Sequence, residues 1–254
     1  MAGTAIHGGL SWRVATLTER RRETSTAHTL VLDVPGWPGH DAGQHVDVRL
    51  TAPDGYSAVR SYSIANAAQG DRLELTVEEI GDGEVSPYLA EAAAPGDSLE
   101  IRGPIGGWFV WRPVQTEAVQ LIAGGSGIVP LMAMIRERAA AKSTAPFRLL
   151  YSVRSPQAII YASELEQRAR DEAGLGVMFA YTRSAPDGWP RAPQRIDAML
   201  LMEATFAAAM QPSSYVCGPT PFVEAAANLL IAAGHDADRI KTERFGPSAG
   251  GVSA

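Results

Sequence analysis

One cysteine, Cys217, stands among 254 residues. It has no second thiol for an intrachain disulfide, and one thiol cannot hold an iron–sulfur cluster. Histidines are few: positions 7, 28, 40, 45 and 235 show no ligand spacing such as HxxxH. Each is expected to be structural or solvent-facing, and no metal site is expected. A basic excess is missing as well, since 22 Lys and Arg against 28 Asp and Glu leave a formal charge of −6. That balance argues against broad nucleic-acid binding, although not against a local basic patch. No apolar run approaches a membrane span, because even 118–134 is broken by glycines, Ser126 and Pro130. Membrane insertion is not expected. The first fifteen residues lack a charged start followed by a long apolar run, so a cytoplasmic protein is the expectation. No internal repeat is found.

What is present is ordinary in bulk, 46% apolar and 20% charged. The length suits two medium domains or one large one. The hydrophobic rhythm favours two. Up to about residue 112, short strands alternate with turns, at 12–22, 29–34, 45–50, 60–65, 73–79 and 98–102. Leu73-Glu74-Leu75-Thr76-Val77-Glu78 alternates with period two, as in a strand with one buried face. Many short strands at this spacing predict a small antiparallel β-barrel. One helix interrupts them, with Ser86 as its cap, Pro87 in its first position and Pro95-Gly96 at its end; its N-terminus would attract an anion. From about residue 117, strands and helices alternate, which predicts a mostly parallel sheet in an α/β domain. The expected division is 1–114 and 115–254, with 111–116 as the connection.

Four motifs carry chemistry. In Arg60-Ser61-Tyr62-Ser63, an arginine suits a phosphate, a tyrosine suits a flat ring and a serine suits a ring edge. Gly83-Glu84-Val85-Ser86 enters the capped helix. Gly124-Gly125-Ser126-Gly127 follows a buried strand and opens a helix, as a pyrophosphate site would, with Pro130 where the usual dinucleotide fingerprint has a third glycine. Cys217-Gly218-Pro219 falls at the carboxyl edge of the sheet. Each alone admits a bland alternative: a packed strand, a capped helix, a structural turn, a packing thiol.

Their order and spacing are more specific. Arg-x-Tyr-Ser, Gly-x-x-Ser, Gly-Pro-x-Gly at 103–106, Gly-Gly-Ser-Gly-x-x-Pro, Cys-Gly-Pro and a final Glu-x-Phe resemble the ferredoxin–NADP reductase family over nearly the whole chain. The resemblance implies FAD on the barrel and NADP or NAD on the α/β domain, without an iron–sulfur domain. It implies that Arg60 meets the FAD pyrophosphate, that Tyr62 lies against the flavin and that Ser63 sits near flavin N5. Ser61, Ile64, Val77, Gly83, Val85 and Ser86 complete the implied FAD set. Gly124, Gly125, Ser126 and Gly127 would hold the second nucleotide, and Cys217 and Gly218 would lie by the nicotinamide. Ser63, Cys217 and Glu243 are the implied catalytic residues, and Phe245 is the aromatic neighbour of the flavin. Arg154, Thr182, Arg183 and Arg191 follow sheet strands where a 2′-phosphate would bind, so NADPH is expected over NADH. The implied activity is an NAD(P)H-dependent flavoprotein reductase, passing electrons to a soluble acceptor protein such as ferredoxin or an oxygenase component. Alternatives are a free-standing flavin reductase or diaphorase, and an electron-transfer subunit of a larger complex.

Overall fold

The barrel follows from alternation. Strands β1 (Trp12–Arg22), β2 (Ala27–Asp33), β3 (His45–Thr51), β4 (Ser57–Ser63), β5 (Arg72–Glu78) and β6 (Ser98–Ile105) form one antiparallel sheet in the order β4-β3-β6-β1-β2-β5. The computed structural model describes residues 10–51, 54–79 and 85–245. The edge strands β4 and β5 approach one another through an Ile64–Leu75 bridge, which closes the sheet. Leu30, Leu32, Val46, Val48, Ile64, Leu73, Leu75 and Val77, all fully buried, fill the inside. The strand at 73–79 departs from the sequence expectation. Glu74 and Thr76, on its supposedly wet face, are 7% and 6% exposed, because the α/β domain covers them.

The capped helix expected after Gly83 is also different. The helical run is short, residues 86–92, and its last five residues, Tyr88–Ala92, form a wide π-helical turn with no side-chain cap from Pro87. Ser86 is buried as the first helical residue rather than standing before the helix as its cap. Pro87 brings no N–H to a longer ladder, and Ala93 closes the wide turn by donating to the Tyr88 carbonyl at 2.9 Å.

The second sheet is parallel, in the order β11-β10-β7-β8-β9, from β7 (Val119–Gly124), β8 (Phe147–Val153), β9 (Leu175–Tyr181), β10 (Ser213–Pro219) and β11 (Ile240–Phe245). Helices α1 (Ile128–Ala140), α2 (Ala162–Asp171), α3 (Ala198–Ala204) and α4 (Thr220–Ala232) accompany them. The strand order reverses between β7 and β10, and ligands of open α/β sheets bind at such a reversal. Pro130 costs α1 nothing, since first-turn amides have no partner within the helix.

Strand β11 and helix α3 were not anticipated from the pattern. Charged residues alternate through Ile240-Lys241-Thr242-Glu243-Arg244-Phe245, as suits an edge strand, and α3 has only seven residues behind its Asp197 cap. The expected connection at 111–116 is not a simple linker either. Trp111 is fully buried, its backbone N–H donates to the Ala42 carbonyl at 3.1 Å, and its ring meets Phe147 edge-on at 5.0 Å. Among the described residues, no helix is long and apolar enough to cross a membrane.

Candidate active site at the domain junction

Register brings the three implied catalytic residues to one place. Ser63, the last residue of β4, lies opposite His45, the first of β3. In the other sheet, Cys217 of β10 lies beside Glu243 of β11. The two pairs meet where His45 Nδ1 stands 3.9 Å from Glu243 Oε1. His45, expected to be structural or solvent-facing, thus stands at the meeting of the two domains. Only the strand register puts it across from Ser63, and no histidine spacing in the sequence carries that signal.

Burial controls the charges here. It pushes Glu243 up to about 7 and pushes His45 below its usual value, with Asp47 opposing the histidine shift. Both shifts favour the neutral forms, and 3.9 Å is too long for a hydrogen bond. The pair is thus not an ion pair near neutral pH, despite its proximity. Glu243 Oε2 is buried without a hydrogen-bond partner. Cys217 is completely buried, and burial first, then the Glu243 charge, raise its thiol well above the usual value. It stays a protonated thiol near neutral pH.

On the barrel side, Arg60 is exposed and Tyr62 half-buried, with the Tyr62 ring packed on the barrel core. Burial raises the Tyr62 hydroxyl to about 12, against the opposing charge of Arg60. Ser61 turns away, donating to Asp47 Oδ1 at 2.7 Å, while Arg102 holds the other oxygen at 2.6 Å. Ile64, Val77 and Val85 are fully buried in the barrel core. Gly83 lies outside the described residues.

On the sheet side, the turn needs glycine at three positions. A Cβ on Gly127 would lie 2.1 Å from the Cys217 carbonyl oxygen, so the turn after β7 is pressed against the end of β10. Gly125 has φ +56, in the left-handed region, and a Cβ there would meet open space. Gly124 packs on the Phe222 ring, where a Cβ would come within 2.7 Å. Ser126 is half-exposed on the same turn, and Gly218 lies against Gly124. Phe245 sits beside Pro219 in register, half-buried against the core. Arg154 and Arg183 are neighbours at adjacent strand ends, the Arg183 N–H donating to the Arg154 carbonyl at 3.0 Å. Thr182 donates from its hydroxyl to Val153 at 3.3 Å. Arg191 does not join them through its guanidinium, which pairs with Glu203 at 2.5 Å.

These features fit a flavin and a second nucleotide. An orphaned buried oxygen on Glu243 faces the junction, an exposed arginine stands on the barrel edge strand, and open space lies over a left-handed glycine at a sheet reversal. Residues 15–110 match the oxidoreductase FAD-binding domain, and residues 121–228 match the oxidoreductase NAD-binding domain. The glycine betaine monooxygenase reductase subunit of Chromohalobacter salexigens is 29% identical, over 84% of this chain and 58% of its own length. The ferredoxin reductase component of 3-ketosteroid-9-alpha-monooxygenase from Mycolicibacterium smegmatis is 31% identical, over 93% of this chain and 65% of its own. This chain thus spans about three-fifths of the length of these relatives. In fold, it is similar to the FAD/NAD-binding domain of nitric oxide dioxygenase from Vibrio cholerae, with TM-score 0.82 and 24% identity over 92% of this chain and 99% of that one.

Proposed function

Because this chain belongs to the ferredoxin–NADP reductase-like family of FAD- and NAD-binding oxidoreductases, we propose that it is a reductase component: it takes a hydride from NADPH and delivers electrons to a separate acceptor protein. The observation that carries this reading is the meeting of the Ser63–His45 pair of the barrel with the Cys217–Glu243 pair of the sheet. We divide the work at Val114, with FAD on 1–114 and the nicotinamide nucleotide on 115–254. The reductase names of the two curated relatives support an oxygenase component or its carrier as the acceptor.

Bound at the junction, flavin supplies a hydride acceptor that can release electrons one at a time. The residues supply everything else. Arg60 neutralises pyrophosphate, and Tyr62 offers a ring face. Ser63 offers a hydroxyl at the reacting edge. Glu243, whose carboxyl burial raises to about 7, can hold a proton near neutral pH beside His45, and the closed packing of Gly127 on Cys217 keeps water from the ring contact. Gly124 to Gly127, backed by the thirteen-residue helix α1, bind the second pyrophosphate. Arg154 and Arg183 receive the 2′-phosphate, which favours NADPH; Arg191 contributes less, being committed to Glu203.

Anaerobic stopped-flow mixing of the FAD-loaded protein with NADPH and NADH tests the reading. Rapid bleaching of the flavin bands by NADPH is expected, followed by reoxidation by oxygenase-type carriers. A protein that rejects FAD, or that neither nucleotide bleaches, would overturn it.

A further inference from the structure

The face of β5 turned away from the barrel core carries Glu74 and Thr76, both buried beneath the α/β domain. The Tyr161 hydroxyl is hydrogen-bonded to the Thr76 hydroxyl. Thr76 Oγ1 lies 2.8 Å from Thr29 Oγ1, and Thr29 donates to Glu23 Oε1 at 2.7 Å. A hydroxyl has one proton to donate. Because Thr29 gives its proton to Glu23, Thr76 donates to Thr29 and Tyr161 donates to Thr76. The chain of bonds runs in one direction, from the α/β domain into the barrel. Burial holds the Tyr161 phenol well above its usual pKa, so the first donor keeps its proton.

Arg136 of α1 stands alongside. Its Cζ lies 4.8 Å over the Tyr161 ring, and its Nη1 donates to the Ala65 carbonyl at 2.9 Å. Two further bonds, of 2.5 and 3.1 Å, hold Glu164. Nη1 also stands 3.5 Å from Glu74, a carboxylate that Arg21 and Arg72 hold at 2.9 and 2.6 Å. Ala65 is the second residue after Ser63, and α1 starts at the glycine turn. At its usual rise per residue, α1 spans roughly 12 Å between Ile128 and Arg136. One rigid helix therefore joins the nucleotide turn to the chain segment that follows the Arg-x-Tyr-Ser motif. Tyr161 itself has φ 62 and ψ 30, a left-handed conformation that a residue with a side chain keeps only where its surroundings hold it.

We infer that Tyr161, Thr76 and Arg136 form an interdomain latch that sets the spacing between the flavin and nicotinamide half-sites, as positioning residues for hydride transfer. The inference rests on the reductase reading. A loosened latch leaves each half-site intact but lets the two drift, and transfer between rings falls steeply with misplacement.

The test is Tyr161→Phe in the full chain, which removes one hydroxyl and keeps the ring under Arg136. Expected are wild-type FAD content, a KM for NADPH within about twofold, and a saturating hydride-transfer rate lowered about fivefold or more. Amide exchange over residues 65–69, measured without turnover, should quicken by about tenfold. Thr76→Val should slow transfer similarly from the barrel side, and Thr76→Ser, which keeps the hydroxyl, should not. The double variant Tyr161→Phe/Thr76→Val should be no slower than the slower single variant. If Tyr161→Phe fails to fold, the two Thr76 variants decide the matter. Wild-type rates and wild-type exchange in the Phe and Val variants overturn the latch. A wild-type protein that no nicotinamide reduces overturns the reductase reading instead, and amide exchange then still judges the latch.

Discussion

Glu243 sits where a carboxylate is poorly solvated, and its stability effect has a definite sign. Below its ordinary value of 4.5, folded and unfolded chains both hold the proton; between there and about 7, only the folded chain does. Stability therefore falls as pH rises through that window, by on the order of 3 kcal/mol in full. His45, with its lowered value, works the other way and costs stability as pH falls below 6.5. Glu243→Gln separates the two, because it removes the carboxyl titration and leaves the imidazole. Urea midpoints at pH 5 and pH 8 should show wild type losing stability relative to Glu243→Gln on the alkaline side; parallel pH profiles would sink the idea. Arg183 makes a second prediction at this scale. Its fork, beside Arg154, is proposed to meet a 2′-phosphate, and one charge-assisted contact contributes about 1.5–3 kcal/mol. Arg183→Ala should lower the NADPH-to-NADH ratio of kcat/KM by about tenfold or more. A loss shared equally by both nucleotides would argue that the residue only solvates the sheet edge.

Helix α1 and the turn before it work as one element because two strand ends touch. Gly127 has φ −58, a conformation that alanine adopts freely, so Gly127→Ala tests sterics alone. The new methyl carbon would stand 2.1 Å from the Cys217 oxygen and 2.8 Å from the Gly218 nitrogen, both backbone atoms that cannot swing aside. Relief requires β7 and β10 to part at their carboxyl ends. The expected cost is about 1–3 kcal/mol of stability, with roughly tenfold weaker NADPH binding and FAD content unchanged. Gly125→Ala is a control for stability alone: it meets no protein atom within 4 Å and pays only for its positive φ, about 1–2 kcal/mol, while its methyl enters the space proposed for the pyrophosphate. Calorimetric titration of Gly127→Ala against wild type gives the affinity comparison, and wild-type NADPH affinity in Gly127→Ala would show that the close approach does not shape the site. The π-helical turn at Tyr88–Ala92 illustrates the same scale. Its last carbonyls are met from outside, by Arg20 at 2.8 Å on Glu91, rather than by a continuing helix.

The two sheets share one interior. Ala27, Ala42 and Ala65 of the barrel pack in the same apolar cluster as Trp111, Met134, Phe147 and Tyr151. Trp111 is plugged into that cluster at the crossing point, and Tyr215 donates across it to the Val110 carbonyl at 2.9 Å. Opening the interface would expose the large buried Trp111 ring and break the Arg136–Ala65 and Tyr161–Thr76 hydrogen bonds. Each domain is thus stabilised by the other, and calorimetric unfolding is expected as one transition, with matching calorimetric and van't Hoff enthalpies. Two resolved transitions would mean that the domains are energetically independent.

Alternation at period two and the later strand–helix rhythm were enough to specify a barrel followed by a parallel α/β domain, because both are local consequences of which side chains must leave water. The motif residues were legible for the same reason: a glycine turn between strand and helix, or an arginine two places before a tyrosine, is a short-range pattern. Register, by contrast, depends on which distant strand pairs with which. Hence His45 could be seen opposite Ser63, and Glu243 beside Cys217, only in the folded chain. The same holds for Glu74 and Thr76, whose polar character marks them as solvent-facing along β5 until a second domain covers them. Local chemistry picks out the motif residues, and long-range packing brings Ser63, His45, Cys217 and Glu243 to one junction.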